Sequence, residues 1–168
     1  MNEHEFDPRI TTFFSRLEKL DAGERARLKR CAGQTLAEAR HEALGLFYSV
    51  LPHNVAAFQH DIYFLVASLY PMTETGGSGN LGDSLRQTRK PNKAKGLDRR
   101  MEILLDADEA QLPHRLRQVI HLLQSDRVRV NWSQLLEDLL YWTHPSRFVQ
   151  RRWAQSYFAK YPLSPITR

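Results

Sequence analysis

The sequence predicts an all-α protein of two small packed helical bundles, and three observations carry that prediction. Apolar residues recur at three- and four-residue spacing in segment after segment. Helix-capping residues stand where the stripes begin. No segment alternates with period two for long enough to make a strand.

The elements follow in order. Asp7-Pro8 reads as an N-cap with proline at the first helical position, and Ile10, Phe13, Phe14 and Leu17 form the stripe behind it. Asp21 and Glu24 form a capping box for a short basic helix around Leu28 and Cys31, stopped by Gly33. Thr35 and Glu38 repeat the device ahead of Leu36, Ala39, Ala43, Leu46, Phe47 and Val50, with Pro52 closing that helix. Asn54 is expected to cap a fourth helix with Val55, Phe58, Ile62, Leu65, Val66 and Leu69 inward and Pro71 just past its end.

Residues 71–80, with Pro71, Gly76, Gly77 and Gly79, have loop composition. A short helix is expected over Leu81–Thr88, loop from Lys90 to Gly96 around Pro91, and helix over Leu97–Leu105. Leu112–Gln124 carries Leu112, Leu116, Val119, Ile120 and Leu123 on one face, with Arg115 at its edge and His114, Arg117, Gln118 and His121 opposite. Asn131 caps a helix with Trp132, Leu135, Leu136, Leu139 and Leu140 inward. Pro145 and Ser146 open the last, whose apolar face is Val149, Trp153, Tyr157 and Tyr161, with Arg147 and Arg151 on its flank. The expected division is a bundle over 1–70, a flexible basic loop region with one short helix over 71–96, a bundle over 97–161 and a tail over 162–168.

Composition narrows the function. A chain of 168 residues, 42% hydrophobic and 26% charged, is an ordinary globular protein. A single cysteine, Cys31, leaves no intrachain disulfide, and a reduced, cytoplasmic setting is expected. Met1–Phe6 has no apolar stretch, so no signal peptide is expected there, and no apolar run approaches a membrane span of about 20 residues. From Arg86 to Arg100 stand seven positive residues (Arg86, Arg89, Lys90, Lys93, Lys95, Arg99, Arg100) and one acid, Asp98, a net +6. The total is +5, so the rest of the chain sums to −1. Such concentration fits an electrostatic footprint on a polyanion partner, and equally a solvated surface loop.

The motifs for chemistry are missing or out of place. Gly77-Ser-Gly79-Asn-Leu-Gly82 matches a dinucleotide-binding glycine pattern, but that pattern works between a strand and a helix, and here a helix precedes it. Its context is that of a flexible linker. The closest histidines within a helix pattern, His53/His60 and His114/His121, are seven apart, about 10.5 Å along a helix and too far to share a metal. No cofactor is expected. Cys31 has no histidine partner and reads as a buried structural thiol; Trp132, Trp142, Trp153 and Tyr157 fall at core spacing and read as packing. What remains is arginines flanking apolar stripes on different helices, a planar donor fork suited to phosphate oxygens. That pattern suits a surface holding a phosphate backbone without regard to sequence. Two other classes stay open: a helical DNA-binding transcription regulator, and a helical enzyme with an arginine-lined anion pocket.

Four stretches, in their order and spacing, resemble the CasB family, the small (belly) subunit of the type I-E CRISPR Cascade surveillance complex. They are Asp21-Ala-Gly-Glu-Arg-Ala-Arg-Leu-Lys-Arg30, Asn80-Leu-Gly-Asp-Ser-Leu-Arg86, Asp98-Arg-Arg-Met-Glu-Ile-Leu-Leu-Asp-Ala-Asp108, and Trp132-x-x-Leu-Leu-x-x-Leu-Leu-x-Trp142 followed by Val149-Gln-x-x-Trp153. The resemblance covers roughly residues 6–161. It implies an all-α, non-catalytic protein with two copies head to tail in the complex, beside the other Cascade subunits and the CRISPR RNA. It implies that a basic surface steadies the R-loop on target DNA, notably the displaced non-target strand. By motif position it places the nucleic-acid role on Arg30, Arg99, Arg100 and Arg117, with Arg86, Arg115 and Arg147 beside them. Outside Asn80–Arg86, the family pattern is not placed on the long loop 71–96 or on Ser125–Val130, so Lys90, Lys93 and Lys95 stay outside the assignment.

Overall fold

The computed structural model describes residues 4–160, which fold into nine α-helices and no named strand among the described residues. The helices are α1 (Pro8–Glu18), α2 (Ala22–Lys29), α3 (His41–Val50), α4 (His60–Leu69), α5 (Leu81–Thr88), α6 (Ala94–Leu105), α7 (Leu112–Ser125), α8 (Trp132–Leu140) and α9 (Phe148–Phe158). Tyr161 and the expected tail, 162–168, lie outside the described residues.

Side-chain caps explain four of the nine starts. The carboxylate of Asp7 accepts from the Arg9 backbone N–H at 2.8 Å. Reciprocal boxes close over α2 (Asp21, Glu24) and α5 (Asn80, Asp83). Asn131 Oδ1 accepts from Gln134 N at 3.2 Å ahead of α8. Each satisfies a backbone donor that a helix start leaves without a partner.

Four expectations need correction. The box at Thr35 and Glu38 is present but caps only a 3-10 turn, Leu36–Glu38; the chain is extended at Ala39 (ψ 136°), and α3 starts afresh at His41. Asn54 caps nothing: a turn and a second 3-10 turn, Ala57–Gln59, precede α4. Phe58, expected inward, therefore sits on that turn and is 81% exposed. α6 begins at Ala94, so Lys95 and Gly96 are helical rather than loop. The last helix starts at Phe148, preceded by Arg147 in the left-handed conformation (φ 53°), so Arg147 lies ahead of the helix instead of along its flank.

The core is continuous. Phe13 packs on Tyr63 (ring centroids 4.9 Å apart) and Phe47 on Phe64 (5.3 Å) in the first half, Trp142 on Trp153 (5.1 Å) in the second. Tyr70 meets Trp132 across the two halves at 5.7 Å, and α8 lies against both α1 and α4. The most extensive helix pairing joins α5 to α9. It depends on Gly82, where a Cβ would collide with the Trp153 carbonyl oxygen. Gly77 likewise abuts the Arg129 carbonyl, which leaves no room for a Cβ. The glycine pattern of 77–82 thus serves close backbone approach.

Candidate nucleic-acid interface

Two of the four leading arginines are brought together by one turn. α2 ends at Lys29, Arg30 forms its C-cap, and the turn that follows reaches Gly33 with φ 83°. The aliphatic stem of Arg117, from α7, fills the space over Gly33, where a Cβ would sit 2.7 Å from Arg117 Cδ. Only glycine satisfies both the backbone angle and the close approach. Arg30 and Arg117, 87 residues apart in sequence, thus flank the same turn, both exposed.

Arg99 and Arg100 lie on the solvent side of α6, whose Leu97, Met101 and Leu104 are buried. α6 packs on α7, the helix that also carries Arg117 and the half-buried Arg115. No carboxylate stands within ion-pairing distance of Arg30, Arg99, Arg100, Arg115 or Arg117 among the described residues.

Other cations are already engaged. Arg86 reaches across from α5 to the end of α9, where Nη1 donates to the carbonyls of Ser156 and Ala159. Arg147 Nη2 donates to the Leu105 carbonyl at 2.6 Å. Arg89 makes a two-pronged pair with Asp98 at 3.0 and 3.1 Å, and the Tyr157 hydroxyl donates to the same carboxylate at 2.6 Å. These bonds, Arg89 first, hold the Asp98 carboxyl below the usual range. Burial, then the neighbouring carboxylate, pushes the Tyr157 hydroxyl well up. The one acid of the basic segment thus neutralises Arg89 and ties it to α9. Lys90, Lys93, Lys95, Arg99 and Arg100 are left exposed.

The candidates for other chemistry are occupied by structure. Cys31 is buried, and burial raises its thiol pKa, the opposite of an activated nucleophile. Trp132, Trp142, Trp153 and Tyr157 are all in the core. Trp142 Nε1 donates to Ala107 O at 2.9 Å and Trp153 Nε1 to Asp138 Oδ2 at 2.8 Å. Among the described residues no three potential metal ligands cluster, and no helix is long and apolar enough to cross a membrane.

Residues 24–158 match the family described as CRISPR-associated protein Cse2. The chain belongs to the Cse2 family. A Cse2 protein of Thermus thermophilus is 33% identical over 102 residues, 60% of this chain and 57% of the relative's own length. The chain thus aligns with little more than half of that relative. The crystal structure of CasB from M. ruber superposes with a TM-score of 0.74 at 29% identity, covering 92% of this chain and 94% of that one. The structure of a Cse2-family protein from Thermus thermophilus gives 0.76 at 26%, covering 89% and 96%. A chain in a CRISPR RNA-guided surveillance complex shares the fold, with a TM-score of 0.73 at 24% identity, covering 89% of this chain and 91% of that one. The all-α Cse2 fold and the expected family are therefore correct.

Sequence reasoning passed over a second group of arginines. Arg25, Arg127 and Arg129 line a groove of ≈ 860 Å³ between α2, the segment after α4 and the α7–α8 connection. The only signal in the sequence is a pair of arginines, Arg127 and Arg129, in a six-residue link between two firm helices.

Proposed function

We propose that this chain is the small, non-catalytic subunit of a CRISPR RNA-guided Cascade complex in antiviral defence. There it steadies the R-loop formed by CRISPR RNA and target DNA, and the displaced non-target strand, through phosphate contacts. Its partners on this reading are the other Cascade subunits and a second copy of itself, head to tail. The observation that carries the reading is the set of exposed guanidiniums, Arg30, Arg99, Arg100 and Arg117, that no carboxylate neutralises on a chain of the Cse2 family. Free arginine forks suit phosphate oxygens, and Trp132, Trp142, Trp153 and Tyr157, which could have stacked bases, are in the core. Arg86 and Arg147 spend donors on carbonyls, so on this reading they shape the surface more than they bind.

Affinity for nucleic acid is expected to fall steeply with salt and to change little with sequence. Replacing Arg30, Arg99 or Arg100 by alanine leaves stability within about 0.5 kcal/mol. Each replacement lowers the salt slope by about 0.7 on a single strand or 0.9 on a duplex. Melting temperature and oligonucleotide affinity, measured on the same variants, test this. Destabilised variants with wild-type affinity would show that these arginines hold helices together and do not bind nucleic acid.

A further inference from the structure

The groove between α2 and the α7–α8 connection is built by three separate segments. Arg25, on α2, donates from Nη2 to the Glu18 carbonyl at 2.8 Å, while its Nε is buried with no partner among the described residues. Arg127 stands immediately past the end of α7 in the left-handed region (φ 56°). Its N–H bonds Gln124 O at 3.1 Å and the next N–H, from Val128, bonds Leu123 O at 2.9 Å. That is the position where glycine is the ordinary residue, and a side chain there is strained. Arg129 meets Glu74 at 3.5 Å in a loose, largely exposed pair. The wall opposite is fixed: Val130 N bonds Glu74 O at 3.2 Å, and Gly77 presses on the Arg129 carbonyl. Three arginines face two carboxylates, Glu18 and Glu74, so the groove keeps one positive charge in excess.

The groove also continues the surface described above. α7 brings Gln124 to it and carries Arg117 seven residues earlier, about 10.5 Å along the helix. α2 brings Arg25 to it, and the turn that follows α2 from its C-cap, Arg30, ends at Gly33 under the stem of that same Arg117. The α2–α7 seam therefore connects the groove to Arg117, about 10.5 Å away along α7.

We infer that Arg25, Arg127 and Arg129 form a groove that grips the phosphodiester backbone of a single nucleic-acid strand, running on from Arg30 and Arg117. The inference rests on the nucleic-acid reading above and adds a distinct set of residues to it. A free nucleotide or inorganic phosphate offers the same chemistry, but an open groove with charges spread along a seam fits a strand.

The test uses the full chain and a labelled oligothymidylate of about twenty residues, long enough to cover the seam. Anisotropy is recorded over a range of salt, with dTMP and inorganic phosphate as competitors. Arg127→Gly is the decisive variant, since it relieves the backbone strain while removing a cation. It is expected to keep or raise the melting temperature, weaken oligonucleotide binding several-fold, and lower the salt slope by about 0.7. Arg25→Gln and Arg129→Gln should weaken binding likewise, and Glu74→Gln, which frees Arg129, should tighten it. Wild-type affinity and slope in all three arginine variants, while Arg99→Ala still weakens binding, would overturn the groove and leave the wider reading standing. Competition by dTMP or phosphate as effective per phosphate as the oligonucleotide would also overturn the strand assignment. Failure of the unaltered chain to bind the oligonucleotide would sink both.

Discussion

Asp138 shows how one buried polar side chain can settle a helix pair. Its two oxygens accept from Trp153 Nε1 at 2.8 Å and from Gln134 Nε2 at 2.9 Å, joining α8 to α9. Burial pushes its carboxyl pKa up, and the bonds from Trp153 and Gln134 only partly oppose this. A group whose folded pKa is raised stabilises the fold when protonated and loses that contribution as pH rises through the folded value. Asp138→Asn keeps an acceptor for the indole without the buried charge. Its stability relative to the unaltered chain is therefore expected to improve as pH rises from about 3 to 7. Asp138→Ala strands the Trp153 N–H and costs about 1–3 kcal/mol. Urea unfolding across pH measures both; an Asn variant that loses ground with rising pH would refute the sign. That Trp153 is a core residue was legible from its spacing. That an acid three positions beyond Leu135 would serve it was not, because the match is made across 15 residues by packing.

At the scale of the element, the caps at Asp7, Asp21 and Asn131 were legible, while the breaks inside a continuous apolar stripe were not. α5 has the boundaries expected for it, Leu81–Thr88, and α7 differs by one residue. The join between Leu36 and Val50 failed because a 3.6-residue stripe is preserved across a short extended link, so periodicity alone does not register the break at Ala39 and Arg40. Gly82 and Gly45 are both helical glycines, yet their surroundings differ. A Cβ at Gly45 meets nothing within 4 Å, whereas one at Gly82 would run into the backbone of α9. Gly45→Ala is expected to stabilise by up to about 1 kcal/mol through helix propensity. Gly82→Ala gains the same propensity and loses more, since the overpacking penalty of about 1–3 kcal/mol falls on a carbonyl that cannot rotate aside. Thermal unfolding of the two variants is expected to shift in opposite directions.

For the whole molecule, the contact of α8 with α1 and α4 bears on cooperativity. The buried residues form one cluster running from Ile10 to Tyr157. Removing either half would expose Trp132 and Tyr70 to water, so neither half is expected to outlast the other. Helix content by far-UV circular dichroism and tryptophan fluorescence, whose three reporters all lie in the second half, should therefore report one coincident transition in urea. Two separated transitions would instead support the bundles 1–70 and 97–161 as independent units. Charge is also a property of this scale. The +6 of residues 86–100 is fully visible in the chain, but folding engages Arg86 and Arg89 and leaves the lysines and Arg99 and Arg100 in water.

Helical periodicity, caps and the charge excess are encoded locally, each within a few residues of chain, and those the sequence by itself determined: an all-α protein with buried tryptophans and a basic segment. The order of four motifs added the family. Which guanidiniums stay free was decided only by the tertiary structure, because an arginine's partner is the acid or carbonyl that packing brings near it. Arg147 finds Leu105 and Arg86 finds Ala159, each dozens of residues away. Arg30 and Arg117 come to flank one turn for the same reason: the turn after α2 ends in Gly33, which packs under the Arg117 stem on α7, a proximity that no spacing along the chain encodes.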